Sequence, residues 1–125
     1  MAGFAGMMAG GARGQPASKS AVLFRQDLPN VNLDQWMVTA VEVTYPPGAA
    51  SPRHRHPGFT VVYVLEGEVR SRVDEEPERT YAVGQMFFEA PGQVHAVSRN
   101  ASDSKPARIL ALLFAEKGKP LTVPA

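Results

Sequence analysis

All three histidines of this 125-residue chain fall in two short segments marked by glycine and proline. The first covers residues 48–67, GAASPRHRHPGFTVVYVLEG, and holds His54 and His56. The second covers residues 84–100, GQMFFEAPGQVHAVSRN, and holds His95. Glycine and proline punctuate turns, and the residues between them are largely β-branched, aromatic or apolar. A chain that confines its histidines to two such strand-and-turn segments builds one metal site. His54 and His56 are two positions apart, which on a strand puts both imidazoles on one face and Arg53 and Arg55 on the other. Imidazole suits Zn, Cu, Fe and Ni, and three neutral histidines leave coordination positions open for a substrate. His-x-His alone is a weak signal, because exposed pairs in loops are common.

The rest of the chain reads as short strands. Residues 21–24, AVLF, form a first strand and residues 27–30 a turn. Residues 36–45, WMVTAVEVTY, are β-branched and aromatic and alternate in part. Residues 59–65 are a nearly continuous apolar run, as in a strand buried on both faces. Residues 68–74 alternate, with Val69, Ser71 and Val73 on one side. Further strands cover residues 79–83, 86–88, 94–98 and 108–114. Gly48, Gly67 and Gly84 are turn positions that require positive φ. No segment carries a helical repeat. Many short strands separated by turn residues indicate an all-β sandwich or barrel.

Composition narrows the function. A formal net charge of +1 gives no electrostatic argument for nucleic acid or an anionic membrane. The chain has no cysteine, which excludes disulfides and thiolate chemistry. No apolar run approaches the ~18 residues needed to span a bilayer. Residues 1–20 are rich in glycine and alanine and read as a flexible arm, with the folded domain over residues 21–125. The apolar stretch at residues 4–9 is similar to part of a secretory signal, although the basic start is missing. The chain reads as cytoplasmic on that ground, and as periplasmic or secreted if the arm is a partial signal.

Both histidine segments resemble the motifs of the small single-domain cupins. The first cupin motif is Gly, five residues, His-x-His, three or four residues, Glu, six residues, Gly. Here it reads Gly48, His54, His56, Thr60, Gly67 at those spacings. The second is Gly, five or six residues, Pro-x-Gly-x-x-His, then Asn. Here it reads Gly84, Pro91, Gly92, His95, Asn100, with Gly92 one place early and Asn100 late. The resemblance implies an antiparallel jelly-roll barrel of six to eight strands with a divalent metal (Fe, Mn, Ni or Zn) in its mouth. It implies His54, His56 and His95 as ligands, in the manner of three-histidine cupin dioxygenases. It supplies no fourth ligand, because Thr60 stands where the family has a carboxylate. Thr60 is a poor ligand for a divalent cation but suits a metal-bound water.

The function that follows is a metal-dependent enzyme acting on a small organic molecule. Dioxygenase chemistry ranks first and isomerase, lyase or hydrolase chemistry second. A non-catalytic small-molecule or metal-binding barrel is the alternative. Glu89, just before the Pro-Gly turn, is a candidate general base or replacement carboxylate; alternation equally allows a strand-end residue facing solvent. Tyr63, Phe87 and Trp36 are candidate pocket residues or core. Asn100 reads as a loop cap. The resemblance also implies a homodimer, with Val22, Leu23 and Phe24 at the contact.

Overall fold

The structure is a computed structural model that describes residues 14–125. Nine strands follow one another: β1 (Trp36–Tyr45), β2 (His54–Arg55), β3 (Phe59–Glu66), β4 (Glu68–Val73), β5 (Arg79–Ala82), β6 (Met86–Glu89), β7 (Val94–Asn100), β8 (Ala107–Glu116) and β9 (Val123–Pro124). The described residues contain no helix. Two antiparallel sheets result, one in the order β1-β8-β3-β6 and the other β5-β4-β7-β2-β9. They face each other across a shared interior, within the sandwich-or-barrel class that the strand spacing indicates and in the double-sheet jelly roll that the cupin resemblance implies.

Alternation in the four-stranded sheet decides what lies inside. On β8 the buried residues are Ala107, Ile109, Ala111, Leu113 and Ala115, each separated by a half-buried one. The ladder register sets these in rows across the sheet. Thr39, Leu113, Thr60 and Glu89 form one row; Val41, Ala111, Val62 and Phe87 form the next; Val43, Ile109 and Val64 the third; Tyr45 and Ala107 the last. Rows two to four are apolar apart from the Tyr45 hydroxyl. Each large apolar side chain buried there contributes roughly 1.5–3 kcal/mol. The first row breaks the pattern, and its two buried polar residues are neighbours on paired strands.

β3 is not buried on both faces as its composition suggests. Thr60, Val62 and Val64 face the interior, while Val61 and Tyr63 are half-buried on the outer face. Phe59 is fully buried by another route, stacked on Phe114 at 4.7 Å and packed against Trp36 at 5.8 Å. The turns follow expectation: Gly48, Gly67 and Gly84 have φ of 74°, 71° and 87°. At Gly67 a Cβ would also lie 2.5 Å from the Pro106 carbonyl oxygen, so no other residue fits between β3 and β4. Asn100 caps its loop as expected. Its side-chain amide donates to the carbonyls of Tyr45, Pro46 and Lys105, and its oxygen accepts from the Ser102 N–H.

One expected strand is missing. Residues 21–24 are not in a sheet, and Val22 and Leu23 are 69% and 66% exposed. A strand needs an edge to pair with, and none of the described strands takes this segment as a partner. The expectation of a flexible arm falls largely on residues 1–13, outside the described residues.

Candidate metal centre

The three histidines meet in the interior. β2 is only two residues long and lies between β7 and β9, with His54 opposite His95 on one side and Pro124 on the other. The ring centroids of His54 lie 4.9 Å from those of His56 and 5.0 Å from those of His95. Two backbone carbonyls set the tautomers. His54 Nδ1 lies 2.7 Å from the Pro52 carbonyl oxygen and His56 Nδ1 lies 2.8 Å from that of Leu121. A carbonyl only accepts, so each Nδ1 carries the proton and each Nε2 keeps a lone pair for a ligand. His95 is held through its other ring nitrogen. Its Nε2 bonds the Ser71 hydroxyl at 2.7 Å, which leaves Nδ1 facing Glu89.

Glu89 is the surprise of the site. The solvent-facing alternative is wrong: Glu89 is 2% exposed. It sits opposite Thr60 in the β3–β6 ladder, which brings a carboxylate beside the position where Thr60 stands in the motif. Its Oε1 is 3.3 Å from His95 Nδ1 and 3.6 Å from His56 Nε2. Among the described residues it has no hydrogen-bond partner, and neither has the buried Thr60 Oγ1. His54, His56 and Glu89 each present a potential ligand atom within 4.8 Å of the others. The group includes a carboxylate, in line with the reading of Glu89 as a replacement carboxylate, and does not include His95. His95 belongs to the same corner through Glu89.

Electrostatics sharpen the point. Burial pushes the Glu89 carboxyl up to about 8. Burial, then the neighbouring His54 and His56, push His95 down to about 3. Burial also lowers His56, against the Leu121 carbonyl, which raises it, and His54, which lowers it further. Both histidines facing Glu89 are therefore neutral near pH 7. Without a cation, burial keeps a proton on Glu89 near pH 7, and a cation at this corner would take that proton's place.

A cavity of about 270 Å³ opens beside this corner. Thr60 lines it, together with the four candidate ligands and the inner rows of β1, β3 and β8. Tyr63 does not, because three residues from Thr60 it points to the opposite face of β3. Phe87 faces inward but belongs to the core beneath His95, against which its ring packs edge-on at 5.9 Å. Trp36 is outside the cavity, on Phe59.

Sequence reasoning missed the residues that orient the ligands. Ser71 left a signal, as the one polar residue between Val69 and Val73 on an inward face. Pro52 and Leu121 left none, since they act through backbone carbonyls brought close only by folding. The tail at β9 and Thr122, whose hydroxyl is 3.1 Å from His56 Nδ1, were not anticipated either.

Two facing antiparallel sheets with a buried histidine–carboxylate corner and an open cavity define a small barrel with a candidate metal site. The model of the Cupin domain family matches residues 41–113, more than half of the chain, and the protein belongs to that family. Solved structures agree on the fold. The DMSP lyase DddQ from Ruegeria pomeroyi DSS-3 is 25% identical with a TM-score of 0.61, over 70% of this chain and 43% of that one. An oxalate oxidase is 22% identical with a TM-score of 0.61, over 70% and 46%. A cupin-like protein from Thermotoga maritima is 20% identical with a TM-score of 0.60, over 70% and 64%. The chain thus spans less than half the length of the first two. No curated protein sequence matches it.

Proposed function

We propose that this cupin holds a divalent metal with His54, His56, Glu89 and His95 and acts with it on a small organic molecule in the adjoining cavity. The carrying observation is Glu89 Oε1, buried without a partner and facing His56 Nε2 and His95 Nδ1. A cation there would displace the proton that burial holds on Glu89 and give the four groups a common partner. Pro52 and Leu121 hold two rings ready by fixing their tautomers, the usual role of outer-shell carbonyls at a metal site. Thr60 offers a hydroxyl at the same corner for a ligand or water. The bound metal supplies Lewis acidity or oxygen activation.

Dioxygenase chemistry is the first reading of the reaction. If Glu89 is a ligand, the only other acid–base group among the described lining residues is Tyr45, so chemistry that needs no separate base is favoured. The second reading keeps Glu89 as a base beside a three-histidine metal, in a lyase or isomerase; the similarity to a lyase supports it. Elemental analysis of Glu89→Gln separates the two. A ligand role predicts loss of metal; a base role predicts metal retained and turnover lost. Oxygen uptake with candidate substrates tests the dioxygenase reading directly. Ligand binding without any turnover would favour a non-catalytic barrel.

The chain is also proposed to form a homodimer through residues 22–24, whose exposed Val22 and Leu23 have no cover among the described residues. A monomer mass by light scattering at micromolar concentration would refute this.

A further inference from the structure

The cavity selects its ligand by charge, and the geometry points to a class: a molecule with one neutral or singly anionic head for the metal and an otherwise uncharged, apolar body. This rests on the metal reading above. The body faces the inner rows of the four-stranded sheet, through Val41, Val43, Val62, Ile109, Ala111 and Leu113. Beyond the metal corner, the polar groups of the lining are hydroxyls. Tyr45 Oη lies 2.8 Å from both Ser51 Oγ and Ser98 Oγ. Such hydroxyls can bond an uncharged oxygen but cannot neutralise an anion. No lysine or arginine among the described residues lines the cavity. Arg53 and Arg55 are exposed, on the side of the chain away from the histidines.

The head group follows from charge counting. A divalent ion bound by one carboxylate and neutral imidazoles keeps a single net positive charge. A singly anionic head cancels it. A second anionic group at the far end of the same ligand would lie buried without a partner, which strongly disfavours binding. Size sets the other limit. An apolar cavity of roughly 150 Å³ takes a benzene ring. About 270 Å³ accommodates one substituted ring or a short branched chain with its head.

The test compares benzoate and terephthalate by calorimetry on Mn(II)-loaded protein, with loading checked by elemental analysis. Benzoate should bind at least tenfold more tightly than terephthalate. Equal or tighter binding of terephthalate would overturn the proposal. Val41→Lys, on the half-buried edge strand β1, should raise terephthalate affinity about tenfold relative to benzoate. No change in a folded variant would also count against the proposal. If that variant does not fold, the parent comparison decides alone. Toluene on chelator-treated protein distinguishes the two readings. Protein that takes up no metal yet is stabilised by toluene would sink the metal reading and keep the preference for an uncharged body. Metal-loaded protein that prefers terephthalate would do the reverse.

Discussion

The two sheets divide the work unequally. In the four-stranded sheet β1 and β8 pair over ten residues each, in unbroken register, and carry most of the apolar rows. In the five-stranded sheet the strand that bears His54 is two residues long, and its outer partner β9 is also two. Long ladders with alternating burial bring stability and a fixed register. Short ones leave His54 and His56 to be held by hydrogen bonds to backbone carbonyls. The metal corner is where the two designs meet: Glu89 and Thr60 come from the long-stranded sheet, the histidines from the short-stranded side. A site of this kind draws precision from the rigid sheet and ligand orientation from the irregular one.

Removing a ligand should produce the largest effects. His54→Ala, His56→Ala, His95→Ala and Glu89→Gln should each lower metal affinity about a hundredfold or more, equal to ~2.7 kcal/mol. Far-ultraviolet circular dichroism should stay native, because the apolar rows remain. Full metal occupancy by elemental analysis in any one variant would remove that residue from the ligand set.

Thr60→Glu comes next. With Glu89 directly opposite on β6, a second carboxylate would share the same buried corner. Metal-free variant should be less stable by about 3 kcal/mol, the scale of a buried unpaired charge, and Mn(II) should restore much of that. Melting with chelator and with Mn(II), beside the parent, measures it. An unchanged melt would mean that residue 60 does not face the corner.

Truncation of residues 120–125 tests the short-stranded side alone. It removes β9 and the Leu121 carbonyl that orients His56. Metal affinity should fall 10–100-fold, the range for lost outer-shell partners, with little change in the four-stranded sheet. Competition with a chromogenic chelator reports the affinity. An unaffected value would show that His56 needs no help.

The pH dependence of metal-free protein probes the corner without a cation. A carboxyl whose folded value lies above its ordinary one favours the folded state at low pH and loses that advantage as pH rises through the folded value. For Glu89 the loss runs from 4.5 to about 8. His95, lowered from 6.5 to about 3, gains stability as pH rises across its own window and offsets the loss below 6.5. Stability of chelator-treated protein should therefore fall between pH 6.5 and 8, by ~1 kcal/mol per unit. Glu89→Gln should abolish the fall, and so should metal, which takes the place of the proton. Urea melts at stepped pH give the slope.

The smallest effect is expected from the arm. Deleting residues 1–19 should leave the melting temperature nearly unchanged, since residues 14–19 are exposed and unpaired. A large drop would mean that the arm packs onto a partner chain.

Much of this barrel could be read in advance, and particular residues show why. The strands from Trp36 to Tyr45 and from Phe59 onward follow from local composition, and Gly67 from the backbone it must allow. The alternation around Ser71 follows from the period of a strand, which is a property of neighbours in sequence. His54, His56 and His95 were visible as a set because the chain has no other histidine. The residues 21–24 misled, because apolar composition permits a strand but only pairing with a neighbouring strand makes one.

What tertiary structure decided is the carboxylate. Nothing local distinguishes a Glu89 facing solvent from one facing the interior, since a shift of one residue in register reverses every side chain. The pairing of Thr60 with Glu89 settles its direction, and that pairing joins residues far apart in sequence. The same holds for the carbonyls of Pro52 and Leu121 and for the uncharged lining of the cavity. Chain order determines which strands can exist; register across the sheets determines which side chains meet.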